Sequence, residues 1–170
     1  KPGFSLATSN WPAATGNPPA GLFGYNEIVK QNLGLFPQWL SVIERHLVDV
    51  KEQGSCKSSR FNRCHLQQWQ SFLESIKDMD ISQQIHSVNR FANTREYILD
   101  KENYGVADYW ATPKEFLSNN GDCEDYAIIK MLSLKWLGYD TASMRVVVVQ
   151  DTNLRLQHAI MAINQGDDIL

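Results

Sequence analysis

Apolar residues recur three and four positions apart along the N-terminal two thirds of the chain, then switch to alternation near its end. The first helical stretch opens at Phe36-Pro37-Gln38-Trp39-Leu40, with Trp39, Leu40, Ile43, Leu47 and Val50 as its predicted buried stripe. Leu66, Trp69, Phe72, Leu73 and Ile76 mark a second helix. A third, with Asp80 as its cap, carries Ile85, Val88, Asn89 and Ala92 towards Tyr97. The aromatics at helical spacing read as core. Thr112-Pro113-Lys114-Glu115 is a capping box with proline at the first helical position, so a short helix delivers the chain to Gly121. At the next helix Asp122 caps, Asp125 is its reciprocal partner three residues on, and Gly138 after Leu137 is the stop.

Gly138-Tyr139-Asp140-Thr141 then leads to Val146–Val149, an apolar run that reads as a buried strand. Leu154 to Ile163 alternates, placing Leu156, His158, Ile160 and Ala162 on one face of a second strand. Asn164-Gln165-Gly166-Asp167 fits a two-residue hairpin turn. The expectation is an α+β fold in which N-terminal helices and a cysteine-bearing central helix pack on an antiparallel sheet. Residues 1–21, rich in proline and glycine, read as a flexible arm ahead of a single domain, 22–170, whose catalytic core is 109–170.

Composition narrows the setting. At 170 residues, 43% hydrophobic and 11% aromatic, the chain can bury one core. A net charge of -3 with no Lys/Arg block argues against nucleic acid as a partner. No stretch approaches a spanning helix, so direct membrane insertion is not expected. The opening Lys1-Pro2-Gly3-Phe4 shows no signal peptide, which suggests a mature or trimmed form. Cys56 and Cys64 bracket a short polar loop; a disulfide there would contribute about 2.5 kcal/mol by loop entropy. That pairing leaves Cys123 free and suits an oxidising compartment. Zinc on Cys56, Cys64 and His65 lacks a nearby fourth ligand, and two reduced thiols are the remaining alternative.

The candidate chemistry lies in Gly121-Asp122-Cys123-Glu124-Asp125-Tyr126-Ala127. A cysteine in a first helical turn faces unpaired backbone N–H groups and the positive end of the helix dipole, which stabilise a thiolate and can donate to an oxyanion. His158, on a strand, would be its base. The spacing equally allows Cys123 as a small buried hydrophobe and His158 as an ordinary sheet histidine. Asp122, Glu124 and Asp125 raise a conflict, because three carboxylates oppose ionisation of the neighbouring thiol. A hard cation would remove it, and calcium, with Asn119 or Asn120 and water completing the shell, suits flexible oxygen ligation better than magnesium. A capping cluster on a solvated helix end is the other reading of the same acids. His46, His65 and His86 share no motif with Cys123. Trp110 can pack in the core, wall a cleft, or lend its indole N–H to an oxyanion.

Trp110, Thr112-Pro113-Lys114-Glu115-Phe116, the run from Gly121 to Ala127, Lys130, Leu137-Gly138, Arg145-Val146-Val147-Val148 and His158-Ala159 together resemble the bacterial transglutaminase-like cysteine proteinases. The resemblance implies a papain-like core and a cysteine endopeptidase with Cys123 as nucleophile and His158 as general base. It further implies calcium dependence through Asp122, Glu124 and Asp125. As substrate it implies a large surface adhesin cut near a di-alanine type site, with release from the surface controlling biofilm attachment. It also implies a periplasmic location and an inner-membrane cyclic-di-GMP receptor of the LapD type as partner. In the family the third triad member is an aspartate downstream of the histidine. Hairpin pairing would put that acid about fifteen residues past His158, beyond Leu170, while Asp167 and Asp168 lie about 20 Å away at the turn. Two rival functions use the same features: an amidase or crosslinker with the same dyad, and a binding module of this fold without turnover.

Overall fold

The computed structural model describes residues 37–52, 56, 57, 59, 63–151, 156–165 and 168–170. The arm expected over residues 1–21 lies outside them. Among the described residues six helices precede an antiparallel sheet: α1 (Pro37–Glu52), α2 (His65–Ile76), α3 (Ile81–Ala92), α4 (Asp100–Asn103), α5 (Pro113–Asn119) and α6 (Cys123–Trp136). A short 3-10 helix, Thr141–Ser143, leads into β1 (Met144–Asp151), β2 (Leu156–Gln165) and β3 (Asp168–Ile169), in the order β1-β2-β3. The α+β architecture is the expected one.

α6 is the central element. Beyond its first turn Ala127, Ile128, Ile129, Leu132, Ser133 and Leu134 are all buried, so the helix is covered on every side. α3 packs on one flank, and β2 and β1 pack on the other. The helix ends where Gly138, at φ 98°, enters the left-handed region and its N–H reaches the Lys135 carbonyl at 3.1 Å. Below α6, Leu66, Trp69, Leu73 and Ile76 of α2 are buried as the spacing predicts, and the Trp69 indole donates to Ser133 Oγ at 2.9 Å. Asp80 caps α3 by accepting from Gln83 N at 2.9 Å.

Two expectations are corrected here. On α1 the fully buried residue is Val42, while Leu40, Leu47 and Val50 are exposed. The helix is turned so that Arg45 and Asp49 meet the segment around α5, and this polar clamp overrides the apolar stripe. Arg45 donates to the Tyr109 hydroxyl at 2.9 Å and to the Glu115 carboxylate. Thr112 Oγ1 donates to Asp49 Oδ2 at 2.9 Å. On β1 the valines are only partly covered, Val148 being 53% exposed, because the strand forms the sheet edge and packs one face on α6. β2 pairs with β1 from Met144↔Ile163 to Asp151↔Leu156, and with β3 through Asn164↔Ile169 and Gln165↔Asp168. That second register leaves two connecting residues, the hairpin length the sequence suggests.

Cys56 and Cys64 form a disulfide, and Cys123 is the free thiol. Among the described residues no helix is long and apolar enough to cross a membrane.

Candidate active site

The site is assembled by three short links to the start of α6. Tyr97 pairs with Gly121 in an isolated parallel bridge, and Ile98 N donates to the Gly121 carbonyl at 2.9 Å. Asp125, fully buried, accepts from Asp122 N at 3.2 Å and, across the fold, from Ala111 N at 2.7 Å. Thr112 and Glu115 form the expected capping box of α5, which fixes Ala111 at that distance. Gly121 is required sterically: a Cβ there would fall 2.1 Å from Asp125 Oδ2.

Cys123 is the first residue of α6, with Asp122 as N-cap. Cys123 and His158 line one cleft of about 700 Å³ between α3, α6 and β2, together with Tyr97, Tyr126, Lys130 and Ala159. The structure therefore brings the thiol, on α6, and the imidazole, on β2, into one cleft. His158 itself is exposed, and Ala159, the next residue, presents its backbone N–H to the Cys123 sulfur. The thiol donates to Glu124 Oε2 at 3.2 Å. Burial pushes the Cys123 thiol up to about 11; the Ala159 N–H opposes that shift, and the Glu124 and Asp122 carboxylates reinforce it. The conflict foreseen between acids and thiol is real in the folded protein.

Next to the thiol, at the helix end, the acids gather with two, Asp100 and Asp108, that have no place in the sequence motif. Asp100, Asp122 and Asp125 form one group of converging oxygens, and Asp100, Asp108 and Glu124 another. Burial, then the hydrogen bond and charge of Asp122, raises Glu124 to about 9. Burial raises Asp125 to about 8 against its bond from Ala111 N, with the charges of Asp122 and Asp100 adding to the effect. Burial likewise raises Asp100. Asp100 accepts from Tyr109 N on one oxygen, and Asp122 from Asp100 N at 3.4 Å on one of its own. Their other oxygens, Asp100 Oδ1 and Asp122 Oδ1, are buried with no donor. Two unpartnered carboxylate oxygens in a buried acidic cluster are the arrangement a hard divalent cation satisfies.

This refines the predicted ligand set. Asp125 has both oxygens on backbone N–H groups, so it builds the turn, whereas Asp100 and Asp122 present free oxygens. Asn120, offered above as an extra ligand, has its side-chain oxygen engaged by Glu96 N at 3.3 Å. Trp110 does not line the cleft; its indole donates to Asp108 Oδ1 at 3.0 Å, and the ring packs against the core. Asp167 and the Asp168 side chain, considered above for the third triad position, lie outside the described residues.

The family model of the bacterial transglutaminase-like cysteine proteinases (BTLCP) matches residues 53–170. The chain belongs to this family. Among solved structures, this transglutaminase-like proteinase is similar to LapG of Legionella pneumophila in its calcium-bound form, with 28% identity and a TM-score of 0.55 over 71% of this chain and 65% of that one. It is similar also to the EGTA-treated form of the same protein, with 26% identity and a TM-score of 0.56 over 75% of this chain and 66% of that one. The chain thus spans about two thirds of the length of the solved relatives it matches. Curated protein sequences give no match.

Asp100, Asp108 and Tyr97 had no sequence signal tied to Cys123. They reach it through the chain reversal between α3 and α5, not through local spacing. A carboxylate directly after the apolar run Tyr97-Ile98-Leu99 is the one local hint that Asp100 is buried for a purpose.

Proposed function

We propose that this chain carries the catalytic part of a calcium-dependent cysteine endopeptidase acting in the bacterial periplasm on a large surface adhesin. The observation that carries the reading is the shared cleft of Cys123, at the head of α6, and His158, on β2, in a chain of this family. The solved relative LapG in a calcium-bound form, together with the unpartnered oxygens of Asp100 and Asp122, supports calcium as the cation. The Cys56–Cys64 disulfide supports an oxidising compartment. The adhesin, a di-alanine type cleavage site, the control of biofilm attachment and an inner-membrane cyclic-di-GMP receptor of the LapD type follow from resemblance.

The chemistry is acyl transfer to water. His158 takes the thiol proton as the sulfur attacks a peptide carbonyl, because a thiol held near 11 does not ionise by itself at neutral pH. The carbonyl electron pair moves onto oxygen, where the free N–H groups of the first turn of α6 meet it. His158 then protonates the leaving amine, and water, deprotonated by the same ring, cleaves the thioester. Asp100, Asp122, Glu124 and Asp108 would hold the cation, whose positive charge offsets the acids beside the sulfur. Asp125 keeps the turn in place throughout.

The test is cleavage of an adhesin N-terminal region by the purified protein, with new N-termini sequenced and ammonia measured in parallel. Cleavage in calcium that is absent in EGTA and in Cys123→Ala supports the reading, with His158→Ala slower by about 10⁴. Ammonia without new N-termini would instead make the protein an amidase, and neither product would leave a binding module.

A further inference from the structure

Tyr97 has no part in the chemistry so far. Its backbone is pinned beside Gly121, two residues before the nucleophile, by the parallel bridge and the Ile98 N to Gly121 O bond. Its ring stacks on Tyr126 of α6 with centroids 6.2 Å apart and planes 19° from parallel, and Tyr126 is held in turn by its hydroxyl on the Arg95 carbonyl at 2.7 Å. This frame aims the phenol into the cleft that contains Cys123 and His158. Tyr97 and Cys123 thus share the lining of one cleft, close enough for the phenol and the thiol to feel each other's charge. The residue is 54% exposed, far too open for a packing role to explain so many constraints.

We propose that Tyr97 is a catalytic residue of this site, its phenol O–H donating to the oxyanion that forms when Cys123 attacks a carbonyl. The inference rests on the cysteine-peptidase reading and adds a donor to it. During attack the carbon–sulfur bond forms, the thiol proton passes to His158, and the carbonyl π pair becomes a lone pair on oxygen. That oxygen develops within one bond of the carbon bound to sulfur, inside the cleft that Tyr97 lines together with Cys123, so the phenol meets it by rotation of the side chain. Backbone N–H groups of α6 approach along the helix axis, and the phenol, stacked beside that helix on Tyr126, supplies a further donor. When the intermediate collapses, the lone pair returns to the carbonyl and the phenol keeps its proton.

Two small reagents separate this role from its alternatives in the full chain with calcium present. Acylation by p-nitrophenyl acetate passes through an oxyanion; alkylation by iodoacetamide at the same sulfur does not. Tyr97→Phe keeps the ring stacked on Tyr126, and an unchanged melting temperature confirms that the fold is retained. The expected result is acylation slowed about tenfold to a hundredfold with alkylation changed by less than about twofold. Equal acylation rates in Tyr97→Phe and wild type overturn the proposal, as does equal slowing with both reagents, which would place the phenol's action on the sulfur alone. His158→Ala identifies failure of the underlying reading: if that variant matches wild type with both reagents, Cys123 is not activated and the proposal falls with the peptidase assignment.

Discussion

Asp122 does two jobs with two oxygens. One receives a backbone N–H from Asp100; the other is buried with no donor, and Asp100, in the same acidic group, carries a second such oxygen. Asparagine caps a helix as well as aspartate does, so Asp122→Asn should leave the metal-free melting temperature unchanged or higher, because it removes one of several like charges. The same variant should lose the rise in melting temperature on calcium addition, which differential scanning calorimetry would show. Gly121→Ala should act differently: its Cβ meets Asp125 Oδ2 at 2.1 Å, and the displaced turn costs about 3 kcal/mol, measurable by urea unfolding. The pH dependence has a definite sign. Glu124 rises from 4.5 to about 9 and Asp125 from 3.8 to about 8 on folding, so the folded, metal-free protein binds more protons than the unfolded chain between those values. Its stability is therefore greatest below the unfolded values and is lost as pH rises towards 8 and 9. Calcium competes with those protons, so its affinity should climb over the same window, with proton release detectable by titration calorimetry in buffers of different ionisation enthalpy. Cys123, Asp122 and Asp125 were legible in the sequence because helix caps are local chemistry. Asp100, Asp108 and Tyr97 were not, since only tertiary folding brings them there.

At the scale of elements, α1 is tied to the site by polar contacts. Arg45 reaches Tyr109, Glu115 and the Trp110 carbonyl, while Asp49 takes Thr112 and, at 2.8 Å, Lys114. This clamp holds the stretch that carries Ala111, whose N–H fixes Asp125. Arg45→Ala should destabilise the fold by about 2 kcal/mol in chemical unfolding, through loss of partly buried charge-assisted bonds. The periodicity of α2 predicted its buried face; on α3 it found Val88 and Ala92, but Asn89 is exposed and Gln84, bonded to the Ile76 and Lys77 carbonyls, is buried instead. On α1 the apolar stripe pointed to Leu40, Leu47 and Val50, and the Arg45–Asp49 face won. The α5 capping box and the α6 boundaries were readable, each resting on residues within a few positions of one another; the hairpin length was too, but its register falls one residue later than Asn164–Asp167 would give, with Gln165 paired to Asp168.

For the whole molecule, one core and one staple set the stability. Reducing the Cys56–Cys64 bridge should lower it by about 2.5 kcal/mol, the loop-entropy value for so short a ring, as a drop in melting temperature with dithiothreitol. Calcium at about a hundred times its dissociation constant should raise it by about 2.7 kcal/mol, and EGTA should reverse that gain. The α+β class followed from the change in hydrophobic period alone. The convergence of helix head, sheet and chain reversal on one cleft did not, because it depends on packing between segments far apart in sequence.

Successive residues on a helix point about 100° apart, so within the tetrapeptide Asp122-Cys123-Glu124-Asp125 each side chain has its own task, although Asp122, Cys123 and Glu124 stay within 4.8 Å of one another. Adding or deleting one amino acid within it would rotate each group into the place of the next and swap nucleophile with cation ligand. Related chains can thus vary in length on either side of this run, but within it evolution is confined to replacement in register.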